Sequence, residues 1–279
     1  MPQISSLPVA VRVYPESEIS VPNSQQKTVT PKHWRQPTAM LVFDTETRID
    51  QTQKLTFGSY RFLTNGICQE EGLFFGVDLP DHDREILKQY ALQHSADSTN
   101  KDFKLLTLEE FISKFYLAAY KGRCLLVGFN LPFDLSRIAR NFATARGRFA
   151  GGFSLGLSFY TGESGTECEN RFRPRIAIKH IDGKRALKGF TGRNACDTAD
   201  LIPDGSRDGK PVEGYKFRGH FLDLRTLAFA LTDKGYSLTS ACEAFEVEHG
   251  KQYAEHHGEI TNEYIDYNRR DVLATSELA

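Results

Sequence analysis

Three short apolar runs, Ala39 to Phe43, Leu55 to Leu63 and Gly72 to Val77, follow one another before any helical spacing appears. Compact runs of this kind, rich in Val, Phe and Leu and bounded by polar residues, read as three strands in succession. Asp81 to His94 then has an acidic opening and the apolar spacing of a helix, through Ile86, Leu87, Tyr90 and Leu92. Thr107-Leu-Glu-Glu110 has the form of a capping box and predicts a second helix running to about Tyr120. Cys124 to Phe129 is again a short apolar strand, followed after Asn130 and Pro132 by a helical pattern from Asp134 to Phe142. Later, Phe221 to Phe229 is apolar with Asp223 near its start, Ser237 to Phe245 has the form of a capped helix, and Thr261 to Leu278 reads as the last helix. The order predicts an α/β fold with a mixed sheet flanked by helices.

Two stretches differ in texture from this frame. Residues 1 to 38 carry six prolines among Ser, Gln, Thr and Val without sustained periodicity, and read as an N-terminal arm or linker before a domain spanning 39 to 279. Within the arm, Val9 to Val13 has the composition of an edge strand, and Trp34 is suited to pack back on the domain. Residues 145 to 219 hold many glycines, alternating runs such as Arg175 to Ile181 and a Pro-Asp-Gly turn at 203 to 205, and read as a β-rich insertion with hairpins.

Charge is informative in its distribution. The chain as a whole carries a formal net charge of -1, without the strongly basic balance of a DNA-coating protein. Residues 137 to 193, however, hold 12 Lys or Arg against 4 Asp or Glu, a local excess of +8. Such a stretch suits a phosphate backbone, or is simply a solvated face. The five cysteines, Cys68, Cys124, Cys168, Cys196 and Cys242, are widely spaced and never form Cys-x-x-Cys, so neither a zinc site nor a disulfide framework is expected. No apolar stretch of membrane-spanning length occurs, and no signal-like start, so a cytoplasmic or other reducing intracellular location without membrane partners is expected.

Three places carry candidate chemistry. Asp44-Thr45-Glu46 follows the first apolar strand, and in extended backbone residues two apart share a face, which puts two carboxylates side by side. A divalent cation with oxygen ligands is the simplest reason for holding them so close. By itself the pattern is weak: Asp83-Arg84-Glu85 repeats it at the charged start of a helix. Asn130-Leu-Pro-Phe133-Asp134 sits at the carboxyl end of another predicted strand, where ligands of α/β sheets gather, although Asp134 would serve equally as a helix N-cap. Tyr267 and Asp271 are four apart in the last helix and share a face, a spacing that ordinary packing also produces. His249, His256 and His257 lie in a polar loop and read as solvent-facing rather than as metal ligands.

Taken as a set, Asp44-x-Glu46, Asn130-x-x-Phe133-Asp134 and Tyr267-x-x-x-Asp271 resemble the motifs of the DEDD exonucleases over roughly residues 39 to 279. The Tyr four residues before the last Asp resembles the tyrosine branch, and the wording of the second motif is similar to proofreading domains of family B DNA polymerases. This resemblance implies a ribonuclease H-like fold and a 3′-to-5′ exonuclease acting on single-stranded or frayed DNA ends. It further implies that Asp44, Glu46, Asp134 and Asp271 bind two divalent cations, Mg²⁺ or Mn²⁺, about 4 Å apart. Tyr267 would orient the attacking water, and Asn130, Phe133 and Thr45 would hold the terminal nucleotides. A polymerase region in the same or another chain is an implied partner, but no palm or fingers region follows Asp271, and a free-standing nuclease stays equally open. The alternatives are a catalytically silent binding module, although its usual signature of a lost carboxylate is absent, and RNA as substrate, since nothing in these residues senses a 2′ hydroxyl and only the wording of the second motif tilts to DNA.

Overall fold

The structure, a computed structural model, describes residues 37–97, 103–162, 165–170, 172–191, 217–250 and 258–279. The expected edge strand at Val9 to Val13, the packing of Trp34, and the turn at 203 to 205 lie outside the described residues. In chain order the first part comprises β1 (Ala39–Thr47), β2 (Leu55–Thr64), β3 (Ile67–Phe75), α1 (Asp81–Asp97), β4 (Phe103–Thr107), α2 (Leu108–Phe115), β5 (Leu125–Gly128) and α3 (Leu131–Arg137). The second part comprises β6 (Asn141–Thr144), β7 (Phe153–Gly156), β8 (Phe159–Thr161), β9 (Glu167–Glu169), β10 (Ile176–Asp182), β11 (Arg185–Phe190) and β12 (His220–Asp223). Helices α4 (Leu224–Thr232), α5 (Leu238–Ala244) and α6 (Asn262–Leu278) complete it.

The main sheet has six strands in the order β12-β5-β1-β2-β3-β4. The first three strands are antiparallel neighbours, and Asn65-Gly66 joins β2 to β3 with φ of 51° and 77°. Positive φ at both loop positions is what a tight hairpin demands and what Asn and Gly tolerate. On the other side of β1, β5 runs parallel to it and β12 runs parallel to β5. The sheet is therefore mixed, and β1, β5 and β12 all end at the same edge.

Alternation along β1 divides the core. Leu41 and Phe43 face a layer made of Phe111 and Phe115 from α2 and Leu131 and Leu135 from α3. Val42 faces the opposite layer, with Leu125, Val127, Leu224 and Val272. Phe57 and Leu73 extend that second layer against Leu87, Tyr90, Tyr264 and Ile265. Burying an aromatic such as Phe111, whose ring stacks on Phe74 at 3.8 Å, stabilises by roughly 2–3 kcal/mol. No helix among the described residues is long and apolar enough to cross a membrane.

Three of the expected helix starts carry their caps. Thr107 caps α2 through a reciprocal box with Glu110, Ser237 caps α5, and Thr261 caps α6 by accepting from the Tyr264 amide at 3.2 Å. The helix expected to reach Tyr120 changes pitch at Tyr116 and continues to Lys121 as a π-helical segment.

The predicted helix from Asp134 to Phe142 is displaced: α3 begins earlier, at Leu131 after the cap position Asn130, and ends earlier. Helix α3 stops at Arg137, the Arg140 amide already bonds the Gly156 carbonyl at 2.8 Å, and Asn141–Thr144 is strand β6. Pairing with β7 wins over the short i, i+4 match of Ile138 with Phe142, so the insertion begins at Asn141 rather than at 145. Its main sheet has the order β11-β10-β7-β6, with β8 and β9 as a separate pair. One face of that sheet, carrying Leu155, Ile176, Ile178 and Phe190, packs into the layer on Leu41 and Phe43.

Candidate functional site

Strand β1 is longer than its apolar run and carries Asp44, Thr45 and Glu46 within it. Asp44 and Glu46 share a face, as the spacing predicts, and α6 covers that face with a fully buried Asn268. Its Nδ2 donates to Asp44 Oδ2 at 2.7 Å and to Glu46 Oε1 at 3.2 Å, so one amide bridges the two carboxylates. Its Oδ1 in turn accepts from Ser59 Oγ at 2.6 Å, and Ser59 is the ladder partner of Asp44 on β2. The Tyr264 hydroxyl donates to Glu46 Oε2. Burial, with the Glu46 charge beside it, holds that phenol well above the usual tyrosine range, so it remains a donor.

Thr45 faces the other way and is buried. Its amide and its hydroxyl both donate to Asp134 Oδ1, at 3.2 and 2.7 Å. Asp134 is itself 1% exposed, and its second oxygen, Oδ2, is closed off without a hydrogen-bond partner. Burial pushes the carboxyl up to about 7; the Thr45 bonds pull it down, while the charges of Glu46 and Asp223 raise it further. Asp134 lies inside the first turn of α3, so the N-cap alternative does not apply. Asn130 holds the cap position, yet its side chain makes no capping bond and is exposed.

Asp223, the last residue of β12, stands level with Gly128 at the end of β5. Its Oδ2 accepts from Thr226 Oγ1 at 3.0 Å and pairs with Lys188 Nζ at 3.3 Å, whereas Oδ1 is buried without a partner. Each of the three parallel strands thus delivers carboxylates at its C-terminal end: Asp44 and Glu46 on β1, Asp134 just beyond β5, Asp223 on β12. Asp271 and Tyr267 are both buried on α6, which packs across β1 and β2. The Tyr267 ring stacks on Tyr264 with 5.9 Å between centroids.

The structure therefore brings Asp44, Glu46 and Asp134 together around Thr45, and adds Asn268, Tyr264, Asp223 and Lys188. Thr45 acts here by holding Asp134. Phe133 is half-buried with the Arg137 guanidinium 4.8 Å above its ring, and belongs to no core cluster among the described residues. Asn268 had a sequence signal: Tyr264, Asn268, Asp271 and Thr275 follow a helical 4-3-4 spacing, and all four are buried. Lys188 had none beyond the basic count of the insertion. Several other cations in that stretch pair internally, Arg140 with Glu167, Arg175 with Glu169 and Arg185 with Asp182. Arg146 and Arg148 remain exposed on either side of Gly147.

A second polar group gathers Glu248, His249 and Glu277, whose ligand atoms lie within 4.8 Å of one another. The sequence placed His249 in a solvent-facing loop; its Nδ1 is 2.5 Å from Glu277 Oε1, and its amide bonds the same carboxylate at 3.0 Å. His256 and His257 lie outside the described residues. No protein-family model and no curated protein matches the chain, so the reading of the site rests on its own chemistry.

Proposed function

We propose that this chain is a two-metal 3′-to-5′ exonuclease of the DEDD tyrosine type, with a ribonuclease H-like fold, acting on single-stranded or frayed DNA ends. The observation that carries the reading is the buried Asp134, whose Oδ2 has no protein partner beside a carboxylate pair drawn together by one amide. A set of hard oxygen donors with an orphaned buried oxygen among them is what Mg²⁺ or Mn²⁺ requires. The strand order β3-β2-β1-β5-β12, three antiparallel strands followed by two parallel ones, supports the fold assignment.

Asp44, Glu46, Asp134 and Asp271 would hold the two cations. Bound there, the cations would supply an activated water and neutralise charge at the leaving 3′ oxygen. Asn268 keeps Asp44 and Glu46 at a fixed separation, and Thr45 fixes which oxygen of Asp134 is presented. Tyr267 orients the water as a hydrogen-bond donor and acceptor. Asn130, exposed at the mouth of α3, and Phe133 would meet the terminal nucleotides, the ring offering a stacking face that tolerates any base. Arg146 and Arg148 offer exposed charge for the phosphate backbone.

The test is digestion of a 5′-labelled single-stranded DNA and its RNA counterpart with Mg²⁺ or Mn²⁺, with chelator, and with Asp44→Ala protein. A metal-dependent ladder shortening from the 3′ end, absent in the variant, is the expected result. A ladder on RNA alone would reassign the substrate to RNA. Retained binding with no cleavage of either strand would replace the enzyme with a binding module, or with a domain that works only beside a polymerase.

A further inference from the structure

Among the described ion pairs, Lys188 with Asp223 is the one whose side chains are both closed to solvent, at 6% and 5% exposure. A buried pair of this kind contributes little net stability, because desolvating two ions offsets their attraction. Its placement points elsewhere. Lys188 lies on β11 opposite Ile178, hence on the face of the insertion that packs against the main domain. Asp223 ends β12, the third of the parallel strands that carry acids.

Asp134 and Asp223 repeat one arrangement. In each, two groups hold one oxygen: Thr45 N and Oγ1 donate to Asp134 Oδ1, while Thr226 Oγ1 donates to Asp223 Oδ2 and Lys188 Nζ pairs with it at 3.3 Å. In each, the other oxygen is buried without a hydrogen-bond partner. Helix α3, which carries Asp134, packs against β12, whose last residue is Asp223, level with Gly128 at the end of β5. Leaving a buried acceptor unsatisfied costs about 1–3 kcal/mol, and a hard cation relieves two such oxygens together.

We propose that Asp223 is a fifth carboxylate of the cation cage, offering its buried Oδ1, with Lys188 as the positioning residue. The proposal rests on the metal reading above and extends it to residues outside the three motifs. Charge balance agrees. Asp44, Glu46, Asp134 and Asp271 carry four negative charges, which two divalent cations neutralise. Lys188 lets Asp223 join them as a ligand without adding to that total. The ammonium also fixes Asp223 in one orientation, so that Oδ1 and not Oδ2 is offered.

The test is Mn²⁺ titration of the full chain, counting free ion by electron paramagnetic resonance, for the wild type and three variants. Asp44→Ala tests the metal reading itself. Asp223→Asn removes the proposed ligand charge. A double variant, Asp223→Leu with Lys188→Met, removes the buried pair together and so avoids leaving a lone buried ion that would unfold the protein. Both Asp223 variants are expected to bind Mn²⁺ about 10- to 100-fold more weakly, with cooperative melting retained in the double variant. Wild-type affinity in the double variant, alongside loss in Asp44→Ala, overturns the role of Asp223 and leaves the metal site standing. Equal affinity of wild type and Asp44→Ala overturns the metal reading, and this proposal with it.

Discussion

Replacing Asp134 with Asn should make the metal-free protein more stable at neutral pH, by an amount that depends on pH in a calculable way. The carboxyl titrates near 3.8 in an ordinary setting and is pushed up to about 7 in the fold, chiefly by burial. Below pH 3.8 both the folded and the unfolded chain hold the proton, and the group makes no demand on the fold. Between these values the unfolded chain releases the proton while the folded one keeps it, so stability falls as pH rises through that window. Above pH 7 the penalty is complete. At about 1.4 kcal/mol for each tenfold change in proton affinity, it amounts to about 4 kcal/mol. The amide keeps an oxygen for the two Thr45 donors and carries no charge. The difference in unfolding free energy between the Asp134→Asn protein and wild type should therefore grow by up to about 4 kcal/mol from pH 4 to pH 8. Urea unfolding with chelator at several pH values measures it, and comparison of the two proteins cancels the titrating groups that do not interact with Asp134. Adding Mn²⁺ at a hundred times its Kd should return about 2.7 kcal/mol to the wild type and nothing to the variant. A stability difference that is flat from pH 4 to pH 8 would refute the picture of Asp134 as a desolvated carboxylate waiting for a cation.

Other expectations follow from single contacts. Asn268→Ala removes the donors shared by Asp44 and Glu46 and strands Ser59, and should destabilise by about 2–4 kcal/mol in thermal melts while weakening Mn²⁺ binding. Unchanged metal affinity would show that the amide does not set the carboxylate pair. Tyr267→Phe should lower the cleavage rate by about tenfold or more and leave Mn²⁺ affinity unaltered, read by single-turnover digestion; equal rates would remove Tyr267 from the reaction. Gly58→Ala places a Cβ 2.5 Å from the Asp44 carbonyl oxygen and 2.4 Å from the Phe74 ring. It should cost about 1–3 kcal/mol by overpacking, and a melting temperature equal to wild type would argue that β2 yields there without strain.

Much of this architecture was legible because local signals and tertiary demands agree. The capping box at Thr107, the capped start at Ser237 and the last helix from Thr261 are set by nearby residues, and they formed where the spacing placed them, whereas β3 starts at Ile67, ahead of the expected run from Gly72, because the Asn65-Gly66 turn folds it straight back on β2. Asp44 and Glu46 were readable because period-two geometry is enough to put them on one face. The miss at α3 has the opposite origin: Ile138 and Phe142 match a helix, but ladder partners on β7 distant in sequence decide the outcome. Asp223 and Lys188 were illegible for the same reason. One ends a strand and the other sits in a basic stretch, and only the docking of the insertion on the main domain makes them a pair. Asn268 stood between Tyr267 and Asp271 in a recognised motif, where a polar residue mid-helix is easily taken for a solvent-facing one.

The link from β11 to the end of β12 bears on how this chain could be trimmed. An engineer seeking a minimal catalytic domain would delete the insertion sheet, which looks like an appendage to a complete six-stranded core. That cut would take Lys188 with it and leave Asp223 held by Thr226 alone. A trimmed variant meant to keep its metal affinity should therefore retain β11 and its Lys188.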